Sequence, residues 1–182
     1  MDEASPVLRR GRLRRLAPGF YQGHACVHWS MTIEKRATGW LDASFHDTFR
    51  NALFHASARH FLAAPTYCLM PDHVHLLWIG IDPRADQREG CSFLRRRVNQ
   101  ALDPFRLQDQ PFDHVLREKD RERNAFAAVA HYILANPVRA GLAERWQDWP
   151  FAGAVFPGYP ALDPRKHHFW PNFWKAFERQ SR

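Results

Sequence analysis

The sequence predicts one α+β domain with a ferredoxin-like fold, in which a split βαβ sheet of antiparallel strands carries helices on one side. Segments with strand-like and helix-like patterns follow one another in the order strand, helix, two strands, helix, strand, helix. That order fits neither an all-β protein nor a series of parallel βαβ units. At 182 residues, 45% of them hydrophobic, the chain is also long enough to bury one sizeable core.

Apolar spacing and a capping signal predict the first strand and the first helix. Residues 20–33 are rich in apolar side chains and indicate a strand, although His24 and His28 interrupt the pattern. Ser44, with Asp47 three residues later, resembles a capping box at the start of a helix. The apolar residues that follow recur at helical spacing, as expected for a helix with one buried face.

The remaining elements are predicted in the same way. Two short apolar runs, 66–70 and 73–81, meet at a Pro-Asp pair and form either a hairpin or one bent strand. Ser92 is placed to cap a second helix, which carries three consecutive arginines on its outer face. Residues 112–117 alternate and predict a further strand, and residues 120–136 predict a third helix that ends before a proline.

Charge and cysteine content narrow the class of protein. A formal net charge of +7 indicates a polyanionic partner, with nucleic acid ahead of an acidic membrane surface. The longest apolar runs are too short to cross a bilayer and the N-terminus has no apolar signal segment, so no membrane association is expected. Three scattered cysteines, Cys26, Cys68 and Cys91, are typical of reduced thiols and predict a cytoplasmic protein.

Three segments are predicted along the chain. Residues 1–18 form a basic N-terminal arm, residues 19–152 a folded domain, and residues 153–182 a basic, aromatic C-terminal extension. The arginines of the arm are Arg9, Arg10, Arg12, Arg14 and Arg15. Such an arm either follows a phosphate backbone or is a solvated tail, and the sequence favours neither interpretation.

His73 and His75 are the most informative pair of residues in the sequence. They stand two apart in the strand-like segment YCLMPDHVHLLW, residues 67–78. Alternate side chains of a strand share a face, so both imidazoles project to one side while Val74 turns to the other. Two imidazoles on one face of a strand are half of a metal site, of the kind that polarises a phosphate or carbonyl oxygen.

The third predicted helix carries a second pair of candidate residues, Tyr132 and Asn136. They are four residues apart, which places the phenol and the carboxamide one turn from each other on a flank of the helix. One interpretation is structural, with Tyr132 half-buried against the core and Asn136 capping the helix end before Pro137. The other interpretation makes the amide oxygen of Asn136 a metal ligand and Tyr132 a nucleophile.

Together the two motifs predict a particular chemistry. Two imidazoles and an amide oxygen are three neutral ligands for a hard divalent cation, and they leave open positions for phosphate oxygens. A tyrosine one turn away is then placed as an in-line nucleophile. Because a free tyrosine phenol is largely protonated at neutral pH, it needs nearby positive charge to react. The product is a phosphotyrosine ester, which conserves the energy of the broken phosphodiester for rejoining.

These motifs resemble those of the HUH single-strand endonucleases, and among them the single-tyrosine, REP-associated tyrosine transposases. The run His73-Val74-His75, preceded by Met70-Pro71-Asp72, matches the H-U-H motif of the family. The segment HYILANPVRAGL, residues 131–142, is similar to its tyrosine helix, and DWPF, residues 148–151, fits the same branch. The resemblance spans residues 20–152, and it implies that His73, His75 and Asn136 are metal ligands and that Tyr132 is the nucleophile.

The expected function is a metal-dependent single-stranded DNA endonuclease or transposase, which nicks and rejoins DNA through a 5′-phosphotyrosine intermediate at hairpin-forming repeats. The expected cofactor is Mg²⁺ or Mn²⁺, and the expected partner is single-stranded or hairpin DNA, bound by a monomer or homodimer. The basic residues predicted to contact the DNA backbone are Arg95, Arg96, Arg97, Arg117 and Arg139. Two alternatives stay open: a non-cutting DNA-binding regulatory or repeat-maintenance protein derived from such a transposase, and a metal-dependent hydrolase that uses water.

Overall fold

One five-stranded antiparallel sheet organises the described part of the chain, residues 15–116 and 123–181 of a computed structural model. Its strands lie in the order β4-β1-β3-β2-β5. They are β1 (Cys26–Thr32), β2 (Leu62–Met70), β3 (His73–Gly80), β4 (Phe112–Leu116) and β5 (Ala152–Val155). The first four strands have the order of a split βαβ fold, so the predicted ferredoxin-like class is confirmed. Strand β5 extends the sheet beside β2.

The described residues also form five α-helices and three short 3-10 helices. Helix α1 (Ala43–Arg59) connects β1 to β2, and α2 (Gln87–Leu102) connects β3 to β4. Helix α3 (Arg123–Leu134) and the single turn α4 (Asn136–Arg139) lie between β4 and β5, and α5 (Phe169–Gln180) follows β5. The 3-10 helices are Pro18–Tyr21, Glu34–Arg36 and Trp146–Asp148.

Alternation along the strands separates two cores, one on each face of the sheet. Trp29 of β1 and Trp78 of β3 belong to the core under α1 and α2, which form the predicted helical layer. The opposite face, with Cys68 of β2 and Leu77 of β3, is covered in addition by α3 and α5. Strand β2 lies between β3 and β5 and is buried along its whole length. Burial on both faces explains why its sequence is almost continuously apolar and does not alternate.

Residues 71–72 form the turn of a hairpin, which decides between the two predictions for this segment. Met70 pairs directly with His73 across the antiparallel β2–β3 ladder. On its other side β3 pairs with β1, and Thr32, the last residue of β1, lies opposite His73. The first residues of β3 are therefore held between two strands, which fixes the direction of their side chains.

Helices α1 and α2 begin earlier than Ser44 and Ser92, so the prediction that these serines cap them is wrong. The Asp42 carboxylate accepts the backbone N–H of Phe45 at 2.7 Å and caps α1. Asp86 does the same for α2 with two backbone N–H groups, at 2.9 and 3.0 Å. The first turn of α2 buries a glutamine and a glycine. The spacing of apolar residues does not predict that turn of helix, because neither buried residue has an apolar side chain.

Two further boundaries differ from the prediction. Strand β1 begins at Cys26 because the chain before it forms a 3-10 helix, whose buried Tyr21 donates its hydroxyl to the Asp113 carboxylate at 2.5 Å. The third helix ends at Leu134, two residues early, and a separate turn begins at Asn136. Its predicted start at residue 120 lies outside the described residues, as does Arg117.

The segment predicted as a C-terminal extension contributes to the core. Strand β5 begins at residue 152 and pairs with β2, so it crosses the predicted boundary at 152–153. Helix α5 packs on α3: the rings of Trp170 and Trp174 lie 5.8 and 5.1 Å from that of Phe126. Of the predicted N-terminal arm, residues 1–14 lie outside the described part. Arg15 forms a 2.6 Å ion pair with Asp113 of β4.

Two findings bear on the expectations about membranes and thiols. Among residues 15–116 and 123–181, no helix has the length and apolar character needed to cross a bilayer. The three cysteines are buried and form no disulfide.

Candidate functional site

One end of the sheet face under α3 is left partly open. Along β1, alternate residues are buried, whereas His28, Ser30 and Thr32 on the α3 face are partly exposed. In β3, His73 and His75 are partly exposed and the strand is buried from Leu76 onward. The polar residues of two neighbouring strands therefore meet where the apolar cover of this face ends, and they line an accessible site.

The imidazoles of His73 and His75 converge at this open end. Their Nε2 atoms are 3.0 Å apart, and the rings are nearly perpendicular, with centroids separated by 4.7 Å. Two ligands at about 2.1 Å from an octahedral cation lie about 3.0 Å apart when they occupy neighbouring positions. The spacing of the two nitrogens thus fits a cation bound by both.

Asp72 orients the first of these rings. Nδ1–H of His73 donates to Asp72 Oδ1 at 2.5 Å, and Nη1 of Arg36 donates to Asp72 Oδ2 at 2.7 Å. Partial burial opposes ionisation of Asp72, but the hydrogen bonds from His73 and Arg36 and the charge of Arg36 outweigh it and lower the pKa of the carboxyl group. An ionised carboxylate only accepts, so the proton of His73 is on Nδ1 and its Nε2 lone pair faces the site.

His28 on β1 completes a chain of three imidazoles. Its Nε2 lies 3.0 Å from Nδ1 of His75, and the two ring centroids are 5.1 Å apart. Burial, reinforced by the neighbouring His114, lowers the pKa of His28 to about 4. Burial, with His28 and His73 nearby, lowers the pKa of His75 to about 3. Both rings are therefore neutral at physiological pH, which is the form of histidine that binds metals.

Tyr132 lies on α3 with half of its surface exposed, 49%. Nη2 of Arg139, on α4, donates to its hydroxyl at 3.0 Å, and the guanidinium lies 4.1 Å from the centre of its ring. The same guanidinium is close enough to His75 for its charge to lower the pKa of that ring. Arg139 therefore contacts Tyr132 directly and lies within electrostatic range of His75.

Asn136 stands where the helix breaks between α3 and α4. In a continuous helix the carbonyl of Ile133 would accept from the N–H of residue 137, but Pro137 has none. Nδ2 of Asn136 donates to that carbonyl at 3.0 Å and to the carbonyl of Tyr132 at 3.1 Å. The structural role proposed for Asn136 from the sequence is thus present. These two hydrogen bonds use both hydrogens of the side-chain amide, so Oδ1 is the atom of that amide that remains to bind another group.

The donor set suits a hard divalent cation only if the amide oxygen takes part. Within residues 15–116 and 123–181, no group of three or more His, Cys, Asp or Glu side chains is arranged to hold a metal ion. A site built on His73 and His75 therefore requires a third ligand of another type. An amide oxygen such as Oδ1 of Asn136 is a ligand of that other type, and a neutral oxygen would leave the charge of the cation uncompensated for an anionic substrate.

We expect Asn136→Asp to separate the structural role of this residue from the ligand role predicted for it. An aspartate keeps a ligand oxygen but cannot donate to the two carbonyls, so the unfolding free energy should fall by about 1–3 kcal/mol while Mn²⁺ affinity is retained. Asn136→Ala should lose both. Thermal melts and Mn²⁺ titrations followed by electron paramagnetic resonance measure the two effects, with Asn51→Asp on the exposed side of α1 as the charge-matched control. A folded Asp variant that no longer binds Mn²⁺ rules out Oδ1 as a ligand.

The predicted DNA-contacting arginines do not form one cluster. Helix α2, which carries Arg95, Arg96 and Arg97, packs on the sheet face opposite the histidines. Arg95 donates to the backbone carbonyls of Gln108 and Asp109. Arg139 alone of the described candidates contacts Tyr132, and Arg117 lies outside the described residues.

Three residues of the site were not predicted: His28, Asp72 and Arg36. His28 interrupts an apolar strand at a position where alternation alone calls for an apolar or exposed residue, and Asp72 directly precedes the histidine pair. Those signals were visible in the sequence. Their meaning depends on the pairing of β1 with β3, and no local pattern specifies that pairing.

Comparisons with known proteins support the fold. No protein-family model matches the sequence, and no curated protein matches it. A solved structure of a REP-associated tyrosine transposase bound to a REP hairpin is similar, with a TM-score of 0.64 and 19% identity, covering 78% of this chain and 81% of that one. A protein of Deinococcus radiodurans R1, provisionally assigned as a transposase, aligns with a TM-score of 0.36 and 17% identity, over 95% of this chain and 98% of that one. At such identity the first likeness establishes the fold.

Proposed function

We propose that this protein is a metal-dependent single-stranded DNA endonuclease of the transposase type, which nicks and rejoins DNA through a covalent bond to Tyr132. The observation that carries the proposal is the convergence of His73 and His75 at the open end of the sheet, together with a half-exposed tyrosine that is hydrogen-bonded to Arg139, whose charge also acts on His75. A protein that only binds DNA needs none of these groups in this arrangement.

Tyr132 is the best placed nucleophile among the tyrosines. The chain has four, and Tyr21 and Tyr67 are buried. The Tyr132 side chain is half exposed and its hydroxyl accepts a hydrogen bond from a permanently charged donor, which would stabilise negative charge developing on the oxygen during attack. The bond from Oη to phosphorus forms while the bond from phosphorus to the 3′ oxygen breaks. The phenol proton leaves to solvent, and the departing 3′ oxygen takes up a proton.

His73, His75 and Asn136 would hold Mg²⁺ or Mn²⁺ in this proposal. Bound there, the cation supplies Lewis-acid polarisation of the scissile phosphate. Asp72 keeps the Nε2 lone pair of His73 directed into the site, and the neutral state of His75 makes its lone pair available. Because one phosphodiester is exchanged for another, the 3′ hydroxyl can reverse the reaction and rejoin the strand.

The substrate part of the proposal is hairpin-forming single-stranded DNA. Its support is the resemblance of the His73 and Tyr132 motifs to those of REP-associated tyrosine transposases, together with the solved neighbour that is bound to a REP hairpin. The net charge of +7 suits a polyanion.

A labelling experiment tests the reaction. The protein is incubated with Mn²⁺ and a library of hairpin-forming oligonucleotides, labelled at either the 5′ or the 3′ end, and the products are denatured. A 5′-phosphotyrosine intermediate transfers the 3′ label to the protein and releases the 5′ label on a shorter strand with an extendable 3′ hydroxyl. Chelation of the metal should remove both products.

Each alternative function gives a different result in the same experiment. Cleavage without any protein-bound label indicates a hydrolase that uses water. Retention of DNA without cleavage indicates a non-cutting binding protein. Transfer of the 5′ label instead of the 3′ label indicates a 3′-phosphotyrosine bond, which is the opposite polarity to the one proposed.

Arg139→Ala should slow adduct formation by about 10–100-fold, as expected for loss of a charged hydrogen bond of about 1.5–3 kcal/mol. The matched control is Arg97→Ala, which removes the same charge from the opposite face of the sheet. At saturating DNA only the Arg139 variant should be slow, measured by single-turnover kinetics. Equal rates of adduct formation in the two variants would mean that Arg139 contributes to binding of the DNA backbone and not to the attack by Tyr132.

A further inference from the structure

The contact between His28 and His75 places a requirement on the position of one proton. The two nitrogens are 3.0 Å apart, a hydrogen-bond distance, so one of them carries the hydrogen and the other accepts it. His75 has its second nitrogen, Nε2, 3.0 Å from Nε2 of His73. The second nitrogen of His73 is already protonated, because it donates to Asp72. The nitrogen on which His75 carries its hydrogen therefore depends on both His28 and His73.

Two arrangements of protons satisfy the His28 contact. In the first, Nε2–H of His28 donates to Nδ1 of His75, and Nε2–H of His75 donates to Nε2 of His73. Every contact then holds one hydrogen and no cation is needed. In the second, Nδ1–H of His75 donates to His28, which leaves two Nε2 lone pairs facing each other at 3.0 Å. Such lone pairs repel unless a cation binds both.

We propose that His28 is a positioning residue for the metal site: it accepts Nδ1–H of His75 and thereby fixes the tautomer that presents Nε2 of His75 to a divalent cation. The inference rests on the proposed metal dependence and extends it to β1. A metal-bound imidazole is usually oriented by a hydrogen bond that its other nitrogen donates. In this proposal His28 accepts that hydrogen bond from His75, as Asp72 accepts it from His73.

The change between the two arrangements conserves protons. As the cation binds, the hydrogen on Nε2 of His28 moves along the hydrogen bond to Nδ1 of His75. The hydrogen on Nε2 of His75 leaves to solvent, and Nδ1 of His28 takes one up. Both rings are neutral before and after. Nε2 of His28 is not a ligand in this proposal, because it contacts Nδ1 of His75. The cation would bind on the other side of the His75 ring, where Nε2 faces His73.

The first test is Mn²⁺ affinity without DNA, measured by electron paramagnetic resonance on folded variants. His28→Phe keeps a ring but has no acceptor, and it should weaken binding by about 10–100-fold. His28→Gln can accept at nearly the position of Nε2 and should bind within a few-fold of wild type. His114→Phe is the matched control, since His114 pairs with His28 on the adjacent strand β4 and is exposed. It should leave Mn²⁺ affinity unchanged.

The second test reads the tautomer in the unmodified protein and does not depend on any variant folding. Nitrogen NMR of the histidine rings, with and without Mg²⁺, should show the hydrogen of His75 on Nε2 in the free protein and on Nδ1 when the cation is bound. Wild-type affinity in His28→Phe, or a His75 that keeps its hydrogen on Nε2 with the cation bound, overturns the role of His28 alone. Failure of the wild-type protein to bind either cation overturns it together with the proposed metal dependence.

Discussion

Tyr132→Phe should form no detectable covalent adduct with DNA while it still binds single strands as the wild type does. Only the hydroxyl is removed, and no other group in the proposal can attack the phosphate, so the loss should be on the order of 10⁴-fold or more. The side chain is half exposed and, within the described part of the chain, its hydroxyl bonds to Arg139 alone, so the unfolding free energy should change little. Denaturing gels measure the adduct and fluorescence anisotropy measures binding.

Tyr159→Phe is the matched control for that substitution. Tyr159 lies in the C-terminal segment, where its ring packs 5.1 Å from that of Phe156 in the core under α5. Loss of its hydroxyl should leave adduct formation intact. If the Tyr132 variant still became labelled, the nucleophile would have to be another residue and the central part of the proposed function would be wrong.

His73→Ala and His75→Ala should each remove metal-dependent cleavage without unfolding the chain. Each variant deletes one of the three proposed ligands, so Mn²⁺ affinity should fall by more than the roughly 10–100-fold expected for loss of an outer hydrogen-bond partner. Both residues are only partly buried, at the end of the sheet where the core stops, so the fold should persist. Titration of Mn²⁺ and cleavage assays over a range of Mg²⁺ concentrations measure the two effects.

His55→Ala provides the comparison, because His55 is an exposed histidine on α1, the helix that packs on the other face of the sheet. It should cut and bind metal as the wild type does. Normal cleavage by either His73→Ala or His75→Ala in added Mg²⁺ would make the pair structural. In that case the chain of imidazoles would need another explanation, such as stabilising the pairing of β1 with β3.

Much of the fold could be predicted because its signals are local. The hydrophobic alternation of β1 and the helical spacing of α1 and α2 place these elements, and their order leads to the split βαβ class. Strand β5 was missed. It is four residues long and made of small residues, and a side chain at Gly153 would have its Cβ 2.8 Å from the Tyr67 hydroxyl. Only the position of that distant tyrosine explains the glycine.

The helix starts show a second limit of local patterns. Asp42 and Asp86 are ordinary capping residues, but several others stood nearby in the sequence. Helix α2 begins directly after Asp86 with Gln87, whose side-chain amide accepts from Nε1 of Trp29 at 3.1 Å and donates to the carbonyl of Ala25 at 2.6 Å. A buried polar residue of this kind is satisfied by partners far away in the chain, so no helical spacing identifies it.

The sequence by itself determined that His73 and His75 share a face and that Tyr132 and Asn136 lie one turn apart, because strand and helix periodicity act over two to four residues. The tertiary structure alone decided that His28 bonds to His75 and that Arg139 bonds to Tyr132. It also decided that the histidine motif and the tyrosine motif lie on one face of the sheet, whereas α2 carries Arg95–Arg97 on the other face. The reason is physical: strand pairing and helix packing bring together residues that lie beyond the reach of local periodicity, 47 positions apart for His28 and His75, and their register follows from burial of the whole core.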